Sequence, residues 1–198
     1  MTHISILPTR GAAALDYIPE LAKLRIEVFR EFPYLYDGDM AYEENYLRTY
    51  VQSPRSVIVI ALDGGTVIGA STALPMADET EEFQRPFLNG THDPAKIFYF
   101  GESVLRKAYR GQGIGVRFFQ ARETHASEAG DFDCYTFCAV ERPADHPLRP
   151  ADYQPLDGFW RNRGFEKRPD LFSHFSWKDI DADTANTKKM VYWLKRVR

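Results

Sequence analysis

Three glycines alternate at Gly111, Gly113 and Gly115, and they constrain this chain more than any other feature, because a strand runs into them and a helix runs out. Residues 97–105, IFYFGESVL, have the β-branched and aromatic content of a strand. From Gly113 to Ala129 the residues Ile114, Phe118, Ala121 and His125 are spaced along one side of a helix. Without a Cβ the loop backbone lies open to close approach. The first amides of a helix have no partner within it, and the helix dipole adds partial positive charge. Together these features suit a pyrophosphate or another anion, although a turn that merely packs tightly has the same pattern. A Walker loop is excluded, since no Lys-Ser or Lys-Thr follows the glycines. A dinucleotide fingerprint is excluded too: the third glycine comes one residue too soon, and the element order is wrong.

The rest of the chain reads in order around this unit. Residues 3–7 open as a short strand, with Pro8 to Gly11 as its exit turn. From Ile18 the positions Leu21, Ala22, Val28, Phe29 and Phe32 recur at helical spacing until Pro33. A second helix covers 41–52. Residues 57–62 and 66–74 are strands joined by Asp63-Gly64-Gly65, a hairpin signal. Another strand covers 134–140, a short helix 156–163, and closing strands lie near 171–177 and 189–194. The order predicts one α/β or α+β domain over 1–198, with helices packed on a mixed sheet.

Composition removes several function classes. The net charge of −3 comes with no long basic block, so nucleic acid is not expected as a partner. No apolar stretch approaches a membrane span, and no apolar signal core follows the N-terminus, which points to a cytoplasmic protein. Cys134 and Cys138, the only cysteines, suit buried free thiols better than a zinc site or a disulfide framework. The histidines at 3, 92, 125, 146 and 174 show no metal-ligand spacing. Asn89-Gly90-Thr91 matches a glycosylation acceptor only by chance in such a setting.

Arg110, Gly113 and Gly115, preceded by Tyr109, satisfy the pattern Arg/Gln-x-x-Gly-x-Gly/Ala. Downstream lies Phe159-Trp160-Arg161-Asn162-Arg163-Gly164-Phe165. The first segment resembles the acetyl-CoA motif of the GCN5-related N-acetyltransferases (GNAT), and the second is similar to that family's F-Y-x-x-x-G-F, in the family's order. The resemblance implies a central, mixed, mostly antiparallel sheet with helices on both faces. It implies acetyl-CoA as donor and no metal. Backbone groups of Ser103, Val104 and Leu105 would pair with the pantetheine arm where two parallel strands splay. Amides of Gly111, Gln112, Gly113, Ile114, Gly115 and Val116 would hold the pyrophosphate, with added charge from Arg110 or Arg117. Trp160 would lie beside the cofactor, where many relatives carry a tyrosine that protonates the thiolate.

Acetyl transfer to an amine makes its own demands. With a pKa near 10, only about one amine in a thousand is the neutral nucleophile at pH 7. A positioned base is therefore needed. Glu102, on the strand entering the glycine loop, is the candidate; an ion-paired or exposed strand residue is the alternative. Indole is no acid, so Tyr153 or Tyr99 would have to supply a phenol, if neither is only a packing residue. Cys138 has nothing nearby in sequence to activate it. His146, between prolines, either reaches an acceptor or holds its loop by hydrogen bonds.

Two segments exceed a minimal fold, residues 75–96 and the Pro-rich 141–156. With the acidic, tyrosine-rich arm at 31–46 they are expected to form the acceptor cleft. Asp37 and Asp39 would draw a compact cationic amine, unless the arm is only a solvated acidic face. The reading is an N-acetyltransferase for a small primary amine. A protein lysine or N-terminal acetyltransferase and a decayed acyl-CoA sensor are the alternatives, and a homodimer is left open.

Overall fold

The computed structural model describes residues 4–88, 90 and 92–197; His3, Asn89 and Thr91 of the sequence reading lie outside them. The strands are β1 (Ile4–Thr9), β2 (Val57–Asp63), β3 (Thr66–Pro75), β4 (Ile97–Leu105), β5 (Cys134–Val140), β6 (Glu166–Lys178) and β7 (Ala185–Arg196). They form one sheet in the order β1-β2-β3-β4-β5-β7-β6. Every neighbouring pair is antiparallel except β4 with β5. The helices are α1 (Ile18–Phe29), α2 (Met40–Gln52), α3 (Glu81–Gln84), α4 (Ile114–Ala129) and α5 (Asp157–Arg161).

Helices cover both faces, and β2 shows why its sequence is a continuous apolar run. Val57, Val59 and Ala61 pack with Ile114 and Phe118 of α4. Ile58 and Ile60 pack on the other face with Leu21 and Leu24 of α1 and Leu47 of α2. A strand buried on both sides has no solvent face to mark with polar residues. Each large apolar side chain so buried stabilises the fold by about 1.5–3 kcal/mol. A third cluster, with Met76, Phe87, Tyr99, Cys138 and Tyr192, lies under residues 76–87, so that extra segment folds onto the sheet as short helical turns.

The β2–β3 turn is the two residues Gly64 and Gly65, at φ 55° and 91°, the double positive φ that this tight hairpin requires. Several boundaries differ from expectation. α1 ends at Phe29, short of Phe32 and Pro33, with residues 30–34 in turns and a bend. β1 continues through Pro8 and Thr9, which pair with Val59 and Ile58, so the exit turn starts later. Both closing strands are longer than their apolar centres, because β6 and β7 pair as a hairpin out to Lys178 and Ala185. Edge residues there are polar, which hid the strand ends.

Two irregularities in β4 position the site. It pairs with β5 only over Ile97–Tyr99, and β5 beyond Thr136 pairs with β7 alone, so the two parallel strands part. Against β3, Ser103 stands opposite Ser71 and Phe100 opposite Ala73, leaving Gly101 and Glu102 to face the single residue Thr72. This is a bulge, and it reverses which side chains point to which face. Phe98 and Phe100 face α4, whereas Val104 packs with the α1–α2 cluster. Only glycine fits at 101: a Cβ would fall 2.0 Å from Tyr50 Oη and 2.5 Å from Thr72 Oγ1.

Candidate active site

An open cleft of about 1700 Å³ lies over the parted strands. Its walls include the glycine loop, Glu102 and Ser103 of β4, Trp160 of α5, the arm, the Pro-rich loop and His174 to Lys178 of β6.

At one end, Gly111 and Gly113 have φ 77° and 78°, and a Cβ on either would meet nothing within 4 Å. The cradle is open and its backbone is of the kind only glycine adopts freely. Gly113 caps α4, and its carbonyl takes the amides of Val116 and Arg117. That leaves the helix opening at Ile114 and Gly115 without an intrahelical acceptor, while Val116, expected among the anion-binding amides, is already bonded. Gly115 has another duty: its Cβ would stand 3.3 Å from Phe159, so it lets α5 approach α4.

The basic side chains expected here are engaged elsewhere. Arg110 makes a two-pronged pair with Glu31, at 2.7 and 3.1 Å, and donates to the Leu105 carbonyl. Arg117 donates to the Ile4 carbonyl. Gln112 turns back to the Ala108 carbonyl. Ser103 and Leu105 line the cleft, while the Val104 side chain is buried beneath it. Trp160 packs its ring against Phe137 and Trp193, with centroids 5.0 Å apart in each case.

The floor carries a buried charge cluster. Arg25 lies 2.8 Å from Glu102 and is also ion-paired with Glu43. Its guanidinium stacks over Tyr46 at 4.5 Å. Burial works against the Arg25 charge, but Glu102 and Glu43 outweigh it and raise its pKa well above the ordinary value. The bulge aims Glu102 at this cluster. Its amide is held by Thr72 Oγ1 and its carbonyl by Ser71 and Arg122. Beside the cluster, Glu79 is 5% exposed and accepts from Tyr50 and the Thr80 amide. Burial raises its pKa from 4.5 to about 7.

That shift carries a prediction for stability. Between pH 4.5 and 7 the unfolded chain has lost the Glu79 proton and the folded chain keeps it, so stability falls as pH rises across this window. The fall attributable to Glu79 is about 3 kcal/mol. Urea unfolding of wild type and Glu79→Gln at both pH values checks it: the difference between the two proteins should change by that amount.

The phenols and the thiol are told apart by where they lie. Tyr153 lines the cleft with its ring edge-on to Phe32 at 4.7 Å, and burial raises its pKa. Tyr99 is buried with its hydroxyl 3.3 Å from Cys138 Sγ. Burial pushes Cys138 up to about 12, so it is no nucleophile. His146 accepts from the Leu148 amide and serves to hold its loop.

Arm and Pro-rich loop do meet. Arg142 donates to the Pro33 and Tyr34 carbonyls and forms a two-pronged pair with Asp179. The acidic pair on the arm is already partly engaged, however, although Asp39 lines the cleft. Asp37 is bonded to Arg30 and Lys178, which hold its pKa low, and Asp39 caps α2 through the Tyr42 amide. The sequence reading placed Glu43 on the acidic arm, within which Tyr46 also falls, but it passed over Arg25, Tyr50 and Glu79. One signal was there: Arg25 occupies the apolar stripe of α1 between Ala22 and Val28, where a charge needs a buried partner.

An acetyltransferase (GNAT) family model matches residues 21–150, well over half of the chain. The chain belongs to the GNAT acetyltransferase family. It is therefore an acyltransferase. A search of curated proteins finds no match. Among solved structures, this GNAT chain is similar to an N-acetyltransferase from Staphylococcus aureus, with 11% identity, 100% of each chain covered and a TM-score of 0.61. It is also similar to a GCN5-related N-acetyltransferase from Kribbella flavida, at 16% identity, 98% of each chain and 0.58. Arabidopsis thaliana NAA60, solved in complex with acetyl-CoA, matches at 14% identity, covering 98% of this chain and 99% of that one, with a TM-score of 0.63. At such identities the likeness is one of fold, and it agrees with the mixed sheet and two helical faces described above. Among the described residues no group of three or more His, Cys, Asp or Glu is placed to hold a metal, and no helix is long and apolar enough to cross a membrane.

Proposed function

We propose that this GNAT chain, working as one domain over 1–198 in the cytoplasm, transfers the acetyl group of acetyl-CoA to a small primary amine. The observation that carries the reading is that the open glycine cradle and the acidic floor share one cleft across the parted strands β4 and β5. Acetyl-CoA, when bound, supplies the acetyl group as an activated thioester. The amides of Gly111, Gln112, Gly113, Ile114 and Gly115 hold its pyrophosphate, and Ser103, Val104 and Leu105 offer backbone to its pantetheine. Trp160 gives the sulfur end an apolar wall.

Glu102 meets the ammonium of the acceptor. Arg25 keeps the carboxylate in place from one side, leaving its charge to draw a cation from the other. The amine attacks directly, with general-base help from the acidic floor, and Tyr153 is the phenol on hand for the departing thiolate. A small acceptor is favoured because Arg142 ties the Pro-rich loop to the arm, walling the cleft where a peptide would need an open groove.

Release of free CoA thiol across a panel of small amines, lysine peptides and N-terminal peptides tests this. Turnover is expected with small amines. Turnover only with peptides would overturn the acceptor class, and release with none would overturn acetyl transfer. Glu102→Gln should lower turnover by on the order of a hundredfold near pH 7 with acetyl-CoA affinity little changed.

A further inference from the structure

Tyr46, Tyr50 and Glu79 form a hydrogen-bonded line that starts on the cleft wall and ends beneath it. Tyr46 lines the cleft, Tyr50 is fully buried and Glu79 nearly so. Tyr50 donates to Glu79 Oε1 at 3.1 Å. A phenol has one proton, so the 2.9 Å contact between the two hydroxyls must have Tyr46 as donor and Tyr50 as acceptor. The line therefore has a direction, and the Tyr46 oxygen keeps a lone pair with which to accept. Gly101 is what admits the Tyr50 hydroxyl beside the bulge. Neither family motif includes any of these three side chains.

Resting on acetyl transfer to an amine, we propose that Glu79 is the final acceptor of the proton that the acceptor ammonium loses, reached through Tyr46 and Tyr50. An ammonium N–H bond breaks toward the Tyr46 oxygen. Tyr46 passes its own proton to Tyr50, and Tyr50 passes its proton to Glu79 Oε1. A neutral amine and a protonated Glu79 result, and both phenols are restored. The amine lone pair then forms the bond to the acetyl carbon as the carbon–sulfur bond breaks. The second proton lost by nitrogen ends on the sulfur, and Glu79 returns its proton to solvent by the same line.

Charge explains why the proton goes to Glu79. Glu102 is held by the Arg25 guanidinium at 2.8 Å, while Glu79 has only neutral donors as hydrogen-bond partners. Besides the two relay phenols, Glu79 is faced by Tyr42 from α2, Arg25 from α1, Glu102 from β4, Cys138 from β5 and Tyr192 from β7. Burial keeps the phenols and the thiol protonated, and Arg25 stays charged. Glu79, raised by burial to about 7, must be ionised to accept, so turnover falls as pH drops through that value.

The test is the pH–rate profile of wild type, Glu79→Gln, Tyr46→Phe and Glu102→Gln, read beside an infrared titration of the free protein. Wild type should show an acid limb centred near pH 7. In Glu79→Gln and Tyr46→Phe that limb should give way to the amine's own titration, with turnover at pH 7 lowered roughly 10- to 100-fold and recovering near pH 10. Glu102→Gln should keep the limb. The carboxylic-acid band titrating near pH 7 should vanish in Glu79→Gln and persist in Tyr46→Phe, a readout independent of activity that also shows the latter is intact. If wild type turns over and both relay variants keep its profile, the relay alone is overturned. Loss of the limb in Glu79→Gln but not in Tyr46→Phe overturns it as well. If wild type releases no thiol from any amine, acetyl transfer falls and takes the relay with it.

Discussion

Glutamate in place of Gly113 is expected to abolish acetyl-CoA binding in a chain that still folds. Gly113 sits at φ 78° at the head of α4, and its missing Cβ points into open space, with nothing within 4 Å. A side chain there enters the anion cradle without striking the protein. The left-handed backbone costs a non-glycine residue about 1–2 kcal/mol. A carboxylate a few ångströms from the pyrophosphate adds repulsion of about 4 kcal/mol per charge at the effective dielectric of a protein surface. The repulsion lowers affinity by well over a hundredfold, while the strain, present with and without ligand, falls on stability. Titration calorimetry with acetyl-CoA measures it, and Gly113→Ala separates the two causes, since it has the strain without the charge. Unchanged affinity in a folded Gly113→Glu protein would sink the placement of the donor.

Replacing Arg25 by methionine should cost about 3–5 kcal/mol of stability, because it strands two buried carboxylates together. Glu43 is 1% exposed and Glu102 8%, and Arg25 is the cation that both engage. Methionine fills the space and removes the charge, so the loss reports on electrostatics and not on a cavity. Urea unfolding near pH 7 gives the number. Adding Glu43→Gln and Glu102→Gln to Arg25→Met should return part of the loss, since neutral amides do not repel one another. A single variant within 1 kcal/mol of wild type would show that the cluster is wet and weakly coupled. The same Arg25 connects stability to the proposed chemistry, as it holds in place Glu102, the carboxylate proposed to meet the acceptor.

Much of the fold was legible because local chemistry sets it. The Gly64-Gly65 turn, the apolar run of β2 and the stripe on α4 follow from backbone allowance and burial, which neighbouring residues report faithfully. The left-handed glycine turn was legible for the same reason: it is a property of backbone, and the residues that free the backbone are written in order. Charges were harder. Arg110 has the look of an anion contact in the motif, yet Glu31, far away in sequence, takes both its prongs. Asp37 and Asp39 look like a cation site on the arm, yet Lys178 and the start of α2 use them. A side chain's charge can be read from the sequence; whether a partner has already neutralised it cannot.

By itself the sequence determined the order of strands and helices, the hairpin and the helix that opens on an unobstructed glycine turn. Tertiary structure alone decided which way Glu102 points. A bulge at Gly101 and Glu102 shifts the strand's alternation by one residue, and whether it forms depends on Thr72 and on the space Tyr50 requires, both distant in the chain. It also decided that Tyr46, Tyr50 and Glu79 stand in line, because α2 and the turn after β3 meet only once the sheet is built. The physical reason is common to both. A backbone's freedom is a property of its own residues, whereas a buried charge or hydroxyl is defined by the groups that surround it.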